Sequence, residues 1–545
     1  MTHGHPFLLV GVAGFELQTL RNNYLILLNY LEFSKNNTLL FRKLTFIYLS
    51  FNEPFLFITF RNFTLIETEH RTKIPPHTAS SKTAYILLLQ KKSRDNAKKT
   101  LDINKKNVYV IITLRRGIQM LSYLKIKNFK SILDLTLDLS FAEGKAPNGY
   151  QASDNLIFIG AGKNRFIPTL ALYGANASGK TNILEALFVF LSVIRHGIKG
   201  LYKPNKLNDR YDYSLFELGI FIDGKKYTYV IKYNASSIIF ESLYKGFNND
   251  KESIFEINNT ECSFDQITTK EYTYQRLKEI YKVECLNEKN NQLQPFLMRM
   301  AKNYTGLNKN ITSVWHYLVD KVELYGFNSV PLPMGMTKLA KSDSMEAITE
   351  AFDKITTILR KLDLDITKMT IDRQIEQIDN NVPIQRDAET IFGHYDNVLI
   401  KDKIYSYHLD YNGKEVRFNF LEESEGTQTV AGLLGLFLSA LEEGKILFID
   451  ELEKSLHPLI LIEIIRLFKD KSYNKTNAQL VFTAHNPYIL DNDLMRVSEI
   501  GIVNKTTKNG STIQRLSDFD GIRNVFNFRK QYLEGLFSGI PYPYI

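Results

Sequence analysis

The chain has 545 residues, of which 44% are hydrophobic and 23% charged, and this is enough to bury a large core. Its formal net charge is +9, but residues 1–119 carry 17 Lys and Arg against 7 Asp and Glu, so residues 120–545 carry a net charge of −1. The basic balance therefore gives no support for nucleic-acid binding by the larger part. The two cysteines, Cys262 and Cys285, exclude a disulfide framework and a cysteine-based metal site, and they suit a reducing cytoplasm.

Residues 1–119 differ in character from the rest of the chain. Apolar segments at 44–51 and 54–60 are too short to span a membrane, and a Lys-rich stretch follows them. Arg115-Arg116 can be encoded as AGGAGG, a bacterial ribosome-binding sequence, and Met120 follows where a start codon would belong. We therefore expect residues 1–119 to be a mis-translated leader and Met120 to be the true start. A disordered basic segment and a membrane-associated region are the alternatives.

The segment Gly174–Thr181 reads GANASGKT, a full Walker A pattern. The apolar stretch 166–173 before it predicts a strand, and 182–191 after it predicts a helix. The pattern predicts an ATP site, because glycines let backbone N–H groups surround phosphates at the positive end of the helix. Lys180 is predicted to reach the outer phosphates and Thr181 to hold Mg²⁺. The plainer interpretation is a Gly-rich turn. The predicted nucleotide contacts are Gly174, Asn176, Ser178, Gly179, Lys180, Thr181 and Asn182.

The region between Thr181 and Ser424, about 240 residues, is too short for a long coiled-coil arm. Apolar stretches on both sides of Asp223-Gly224 predict a β-hairpin. Apolar residues spaced by three and four predict a helix over 345–362. This helix is interpreted either as a lid packed on the core or as a helix that docks a partner or a second copy. The stripe consists of Met345, Ile348, Phe352, Ile355, Leu359 and Leu362.

Residues 421–428 read LEESEGTQ and precede an apolar helix predicted over 430–441. Ser424 and Gly426 would lie at its N-terminus, where backbone N–H groups attract anions. They therefore predict a second phosphate-binding point. The plainer interpretation is that Ser424 simply caps the helix.

Residues 445–451 read KILFIDE, which predicts a strand buried on both faces of a parallel sheet. Asp450 at its carboxyl end is predicted to hold Mg²⁺, directly or through water. Glu451 is predicted to orient or deprotonate the attacking water. The plainer interpretation is a core strand that ends in an acidic turn.

A second buried strand at 479–485 ends in His485, and one predicted helix, 458–468, separates it from the preceding strand. A right-handed βαβ unit would place His485 beside the γ-phosphate at the carboxyl edge of the sheet. The plainer interpretation is that a lone histidine in this position only forms hydrogen bonds within the fold and has no contact with a ligand. A closing strand is predicted at 497–503, and the remaining tail is too short for a nuclease domain.

In this order the motifs resemble the ABC-type ATPase heads of the branch that contains RecF, SMC and OLD proteins. The opening segment 126–132, IKNFKSI, is similar to the first strand of that branch. The phrases ELEKSLHP and TAHNP resemble bacterial AAA ATPases grouped with abortive-infection proteins. Two features depart from the pattern. The motif around Ser424 lacks the two adjacent glycines usual in these heads and has Glu425 in place of one of them. No glutamine after the Walker A helix matches the one that contacts the metal in this branch.

The resemblance implies an α/β fold, a P-loop NTPase head of the ABC type with an inserted β-plus-helical lobe. It implies ATP and Mg²⁺ as cofactors, Thr181 and Asp450 as metal contacts, and Glu451 and His485 as catalytic residues. It also implies that Ser424 and Gly426, the signature residues, act on the nucleotide of a partner subunit, that 455–457 contacts that subunit, and that His485 is the switch histidine. The expected divisions are 1–119, 120–200 with Walker A, 201–400 as the inserted lobe, 401–520 with the remaining motifs, and the tail 521–545.

Two functions are compatible with these motifs. The first is a cytoplasmic, homodimeric ATP-driven switch in bacterial antiviral defence, which would control a separate effector protein and need no membrane. The second is a RecF- or SMC-like DNA-repair ATPase that clamps duplex DNA. The near-neutral charge after Met120 disfavours the second, because DNA clamps need a concentrated basic surface.

Overall fold

The computed structural model separates the chain into two units, Met1–Arg116 and Gly117–Ile545. In the first unit it describes six strands, and the leader assigned to residues 1–119 stays a prediction. In the second unit it describes residues 119–141, 157–159, 164–207, 210–247, 251–258, 261–264, 267, 272–285, 294–304, 308–326, 345–377, 391–395, 398–519 and 527–540.

The six strands of the first unit form an antiparallel sheet in the order β1-β2-β3-β4-β6-β5. Their bounds are β1 Phe15–Leu20, β2 Asn23–Leu28, β3 Ile47–Ser50, β4 Leu56–Phe60, β5 Ile86–Leu88 and β6 Tyr109–Ile112.

The second unit is built on a 13-stranded sheet in the order β16-β15-β14-β13-β12-β7-β8-β25-β24-β11-β23-β22-β17. The five strands from β24 to β17 are parallel, and the others pair antiparallel. The bounds are β7 Gln119–Phe129, β8 Ile132–Asp138, β11 Thr169–Tyr173, β12 Ser214–Ile222, β13 Lys225–Tyr233, β14 Ile238–Lys245, β15 Glu252–Asn258, β16 Glu261–Ser263, β17 Val322–Tyr325, β22 Ile446–Ile449, β23 Gln479–Thr483, β24 Ile500–Thr506 and β25 Gly510–Arg515.

Two smaller sheets accompany it. One pairs β9 Ile157–Ile159 with β10 Asn164–Phe166. The other centres on β20 Val398–Leu409, which pairs with β18 Lys368–Gln377, β19 Ile391–Tyr395 and β21 Glu415–Asn419.

Helices cover both faces of the parallel strands, as strands that are apolar on both faces require. Along β22, Ile446 and Phe448 face the core that holds the helix at 180–196, whereas Leu447 and Ile449 face the core that holds the helices at 345–361, 425–443 and 458–469. The helices are α1 Lys180–His196, α2 Tyr274–Ile280, α3 Phe296–Asn303, α4 Lys309–His316, α5 Met345–Lys361, α6 Glu425–Glu443, α7 Pro458–Lys469 and α8 Phe528–Leu533. π-helical turns lie at Tyr281–Cys285 and Tyr317–Lys321, and 3₁₀ turns at Phe420–Glu422, Pro487–Ile489, Val497–Glu499 and Leu516–Asp518.

Four residues of the predicted apolar stripe are buried on α5, Leu362 follows the helix and is partly buried, and the side chain of Met345 lies outside the described residues. Ile348, Phe352, Ile355 and Leu359 are at most 1% exposed and lie in the same core as α6. The lid interpretation is therefore confirmed, and the interpretation as a docking helix is wrong for this face.

Three further predictions concern strands. The hairpin at Asp223-Gly224 is confirmed, with φ of +54° and +76° that suit a tight turn. The single strand over 166–173 is wrong, because Phe166 ends β10 and β11 begins only after Pro168, which has no N–H to donate. The closing strand begins at Ile500, and a 3₁₀ turn occupies Val497–Glu499.

The hairpin strands β12 and β13 extend the central sheet, since β12 pairs with β7. The boundaries of an inserted lobe at 201 and 400 stay predictions.

One buried carboxyl group connects the antiparallel strands to a helix. Glu241 on β14 is 1% exposed and accepts hydrogen bonds from the backbone N–H groups of Phe296 and Leu297 at 2.7 and 2.9 Å. It also accepts the hydroxyl of Tyr229 at 2.9 Å. Burial raises its pKa from 4.5 to about 7, against the lowering effect of these hydrogen bonds.

This shift predicts a pH-dependent stability that Glu241→Gln removes. Because the folded state keeps a proton that the unfolded state loses between pH 4.5 and about 7, the free energy of unfolding falls as pH rises through that window. The wild type should lose about 3 kcal/mol relative to Glu241→Gln, at about 1.4 kcal/mol per pKa unit. Urea unfolding at several pH values measures this, with Glu279→Gln, at an exposed site on α2, as the control. Parallel pH profiles for the wild type and Glu241→Gln would contradict it.

Among the described residues, no helix has the length and apolarity needed to cross a membrane.

Candidate nucleotide site

The loop Gly174–Gly179 connects the buried strand β11 to α1 and forms a tight cradle. Gly179 precedes α1 with φ +107°, and a Cβ there would lie 2.1 Å from the Ser511 hydroxyl oxygen and 2.8 Å from that of Ser131. Only glycine fits this position. The Ser178 hydroxyl is buried and has no hydrogen-bond partner among the described residues. A cradle of this shape with an unpaired donor fits a bound phosphate.

Two serines far away in sequence brace this cradle, and sequence reasoning missed both. The Ser511 hydroxyl on β25 donates to the carbonyl of Ser178 at 2.7 Å, and Ser131 Oγ lies 2.7 Å from it. Ser131 also accepts the side-chain amide of Asn182 at 2.7 Å. Asn182, predicted as a nucleotide contact, is therefore engaged in bracing the start of α1.

The ammonium group of Lys180 is held by the loop that it follows. It donates to the carbonyls of Gly174 and Ala175 at 2.8 and 3.2 Å, and the residue is 5% exposed. Burial lowers the pKa of Lys180, while the carboxylates of Asp450, Glu453 and Glu451 oppose that shift. Lys180 therefore sits between the cradle and a cluster of three acidic residues.

The predicted metal contacts lie side by side. Thr181 donates its hydroxyl to Asp450 Oδ2 at 3.0 Å, and the Thr483 hydroxyl donates to Asp450 Oδ1 at 2.6 Å. A hydroxyl and a carboxylate next to a phosphate cradle are the oxygen donors that Mg²⁺ prefers. The cation would also offset repulsion between a triphosphate and the acidic cluster. The residues therefore fit Mg²⁺, with Thr181 and Asp450 as its protein contacts.

The strand β17 places a second element beside Asp450 that sequence reasoning did not find. The Asp450 N–H donates to the carbonyl of Tyr325 at 3.0 Å, because β17 runs parallel to β22. A Cβ at Gly326, where φ is +124°, would lie 2.7 Å from that of Asp450. Gly326, which follows β17, therefore borders the metal side of the site.

Glu451 is exposed and has a backbone conformation that side chains rarely adopt, with φ +49°. Its N–H donates to Thr483 Oγ1 at 2.8 Å, which fixes the turn. Strained backbone of this kind concentrates at functional sites, where surrounding contacts hold it. This position is compatible with the predicted role as the base that activates water.

His485 lies two residues beyond β23, at the same edge of the sheet. It is exposed and lines a cavity of about 370 Å³ together with Gly174, Ala175 and Asn176. The structure therefore brings the predicted switch histidine to the start of the Walker A loop. Its backbone N–H donates to Glu453 Oε1.

The C-terminal segment forms the remaining wall of this cavity, through Tyr532, Leu533 and Ile540. Arg529 on α8 donates to the carbonyls of Pro487 and Tyr488 at 3.2 and 3.1 Å. A Cβ at Gly539, where φ is +73°, would lie 3.4 Å from Gly174 Cα. The tail thus contacts both the phosphate cradle and the switch segment, residues 485–488, which begins with His485.

The predicted signature residues form a separate surface. Ser424 is the N-cap of α6, and its hydroxyl accepts the N–H of Thr427 at 3.1 Å. Ser424 and Glu425 are exposed, so the start of α6 faces solvent. The capping interpretation is correct, and a cap of this kind leaves the first N–H groups of the helix open to an anion.

The loop after β22 packs against this helix start in the same chain. The Ser455 hydroxyl donates to Glu425 at 3.1 Å, and a Cβ at Gly426 would lie 3.3 Å from the Ser455 carbonyl oxygen. Ser455 and His457 are exposed, and Leu459 beyond them is 65% exposed. The signature residues and the 455–457 loop therefore share one solvent-facing surface.

The parallel strands with their phosphate cradle and acidic edge define a P-loop ATPase. The family described as "AAA domain, putative AbiEii toxin, Type IV TA system" matches residues 170–295 and 340–491, just over half of the chain. The chain belongs to this family, and the predicted resemblance is confirmed.

Solved structures with similar folds include the SMC head domain from Thermotoga maritima, which is 14% identical, with 72% of this chain and 98% of that chain covered and a TM-score of 0.35. The recombination mediator RecF with ATPrS is 14% identical, with 74% and 99% covered and a TM-score of 0.32. The Smc head from Pyrococcus furiosus bound to the C-terminal domain of ScpA is 11% identical, with 77% and 100% covered and a TM-score of 0.34. No curated protein sequence matches the chain.

Proposed function

We propose that this protein is a Mg²⁺-dependent ATP hydrolase that works as a homodimeric switch in a bacterial anti-phage or abortive-infection system. One observation carries the proposal. Lys180, Thr181, Asp450, Glu451 and His485, which come from three separate parts of the sequence, meet at one edge of the parallel sheet. In the proposed function this arrangement would serve as a phosphate cradle, a metal position, a base and a γ-phosphate contact in one place.

The proposed role of each side chain follows from its position in the site. Backbone N–H groups of the cradle and Lys180 would hold the phosphates, and Mg²⁺, when bound, would neutralise charge on the transferring phosphoryl group. Glu451 would accept the proton of the attacking water. His485 would contact the γ-phosphate from the cavity that it lines.

A dimer is supported by the exposed start of α6. Ser424 and Gly426 lie on a surface shared with the 455–457 loop, where the open end of the helix can meet a partner's nucleotide. In a two-fold dimer each chain would supply this helix end to the site of the other. ATP binding would then close the dimer, and hydrolysis would release it.

The defence role rests on the family, whose description names a putative AbiEii toxin of type IV toxin–antitoxin systems. The proposed partner is a separate effector protein, and the proposed location is the cytoplasm. DNA is the weaker candidate partner, because residues 120–545 carry a net charge of −1.

DNA binding by the full-length protein separates the defence switch from a DNA clamp. Because residues 1–119 carry a net charge of +10, they would attract DNA whether or not ATP is bound, so the informative quantity is the change in affinity caused by ATP. We expect titration of labelled duplex DNA at about 150 mM salt to give the same affinity with and without ATP, in wild type and in Glu451→Gln. A rise of tenfold or more with ATP, lost in Lys180→Ala, would contradict the switch and favour the clamp.

A further inference from the structure

Glu453 connects the acidic loop after β22 to the segment that carries His485. Its Oε1 accepts the backbone N–H of His485, a residue 32 positions further along the chain. Its Oε2 is buried and has no hydrogen-bond partner among the described residues. The carboxylate also lies close enough to Lys180 to oppose the lowering of its pKa.

The exposed side chain of His485 needs a fixed backbone in order to stay in place. The neighbouring carbonyl of Asn486 accepts the Tyr173 hydroxyl at 2.8 Å, and the next two carbonyls accept Arg529. These three bonds hold carbonyl groups that follow His485. Glu453 is the residue that holds the N–H of His485 itself.

We propose that Glu453 is a positioning residue for ATP hydrolysis, which fixes His485 against the γ-phosphate through the hydrogen bond to its backbone. The reaction itself rests on the proposed function. The bond ties the loop that carries Asp450 and Glu451 to the switch segment, so the base and the γ-phosphate contact move together. A displacement of about 1 Å at such a position can cost about a hundredfold in rate.

Two substitutions separate the hydrogen bond from the charge. Glu453→Ala removes the acceptor, and we expect kcat to fall about 10- to 100-fold while KM for ATP changes less than about twofold. Glu453→Gln keeps a carbonyl oxygen that can accept the His485 N–H, and we expect its kcat to stay within about threefold of wild type. A Glu453→Gln enzyme as slow as Glu453→Ala would overturn the proposal, because the charge would then be the required feature.

A double-mutant cycle tests whether Glu453 acts through His485. If it does, Glu453→Ala should cost little further activity in a His485→Ala background. Independent, multiplicative losses would overturn the proposal. Glu279→Ala, at an exposed site on α2, is the matched control and should leave kcat unchanged.

A measurement without turnover separates this proposal from the proposed function. Hydrogen–deuterium exchange of the backbone around 483–488 should be faster in Glu453→Ala than in wild type, and protected in Glu453→Gln. Unchanged exchange in Glu453→Ala would overturn the positioning role even if the protein hydrolyses ATP. Conversely, faster exchange in a protein without Glu451-dependent hydrolysis would support the contact and refute only the proposed reaction.

Discussion

Glu451→Gln is expected to bind ATP but to hydrolyse it at least about a hundredfold more slowly than wild type, the scale of losing a positioned base. The substitution keeps the shape of the side chain and removes its basicity. The backbone of Glu451 is fixed by the bond to Thr483, so the amide should occupy the position of the carboxylate. The variant should also accumulate as an ATP-bound dimer, because closure no longer ends in hydrolysis.

Steady-state phosphate release and ATP titration calorimetry measure the two effects separately. Glu279→Gln, which makes the same chemical change at an exposed position on α2, should behave as wild type. Wild-type turnover by Glu451→Gln would show that Glu451 is not the base. Glu453, the next carboxylate along the loop, would then become the candidate.

Lys180→Ala is expected to lose measurable ATP binding, because the phosphates lose the one side-chain cation that the Walker A loop supplies.

Ser424→Arg is expected to bind ATP but fail to hydrolyse it, since the larger side chain blocks the exposed start of α6. Loss of the N-cap should cost only about 1 kcal/mol of stability, so the variant should remain folded. Lys199→Ala and Ser236→Arg, both at exposed sites, are the matched controls. Calorimetry that finds unchanged ATP affinity in Lys180→Ala would refute its role.

The nucleotide motifs were predictable because their information is local. A buried strand, a glycine loop and a helix follow one another around Gly179. Parallel strands bring their carboxyl ends to the same edge, so Asp450 and His485 could be placed together from the order of strands and helices alone. The buried stripe of α5 was also visible as a periodic pattern, although its partner surface was not.

The supporting contacts were not predictable, because they join residues far apart in sequence. Ser131 and Ser511 are 380 positions apart and have no distinctive local pattern, yet both brace the cradle at Gly179. The approach of Gly539 to Gly174 depends likewise on the path of the tail across the sheet. Such contacts depend on the order of the strands in a mixed sheet. Short-range periodicity in the sequence does not predict that order.

Mixing Lys180→Ala with Ser424→Arg tests the dimeric site most directly. If each active site takes its Walker A loop from one chain and its signature helix from the other, the heterodimer contains one doubly damaged site and one intact site. ATPase activity should then return in the mixture in proportion to the heterodimer, whose formation is established separately with two affinity tags. Absence of any recovery despite confirmed heterodimers would contradict a site shared between two chains that fires independently of its twin. Tighter ATP binding by the heterodimer than by the Ser424→Arg homodimer would then point to two coupled sites, and equal affinity to a site built within one chain.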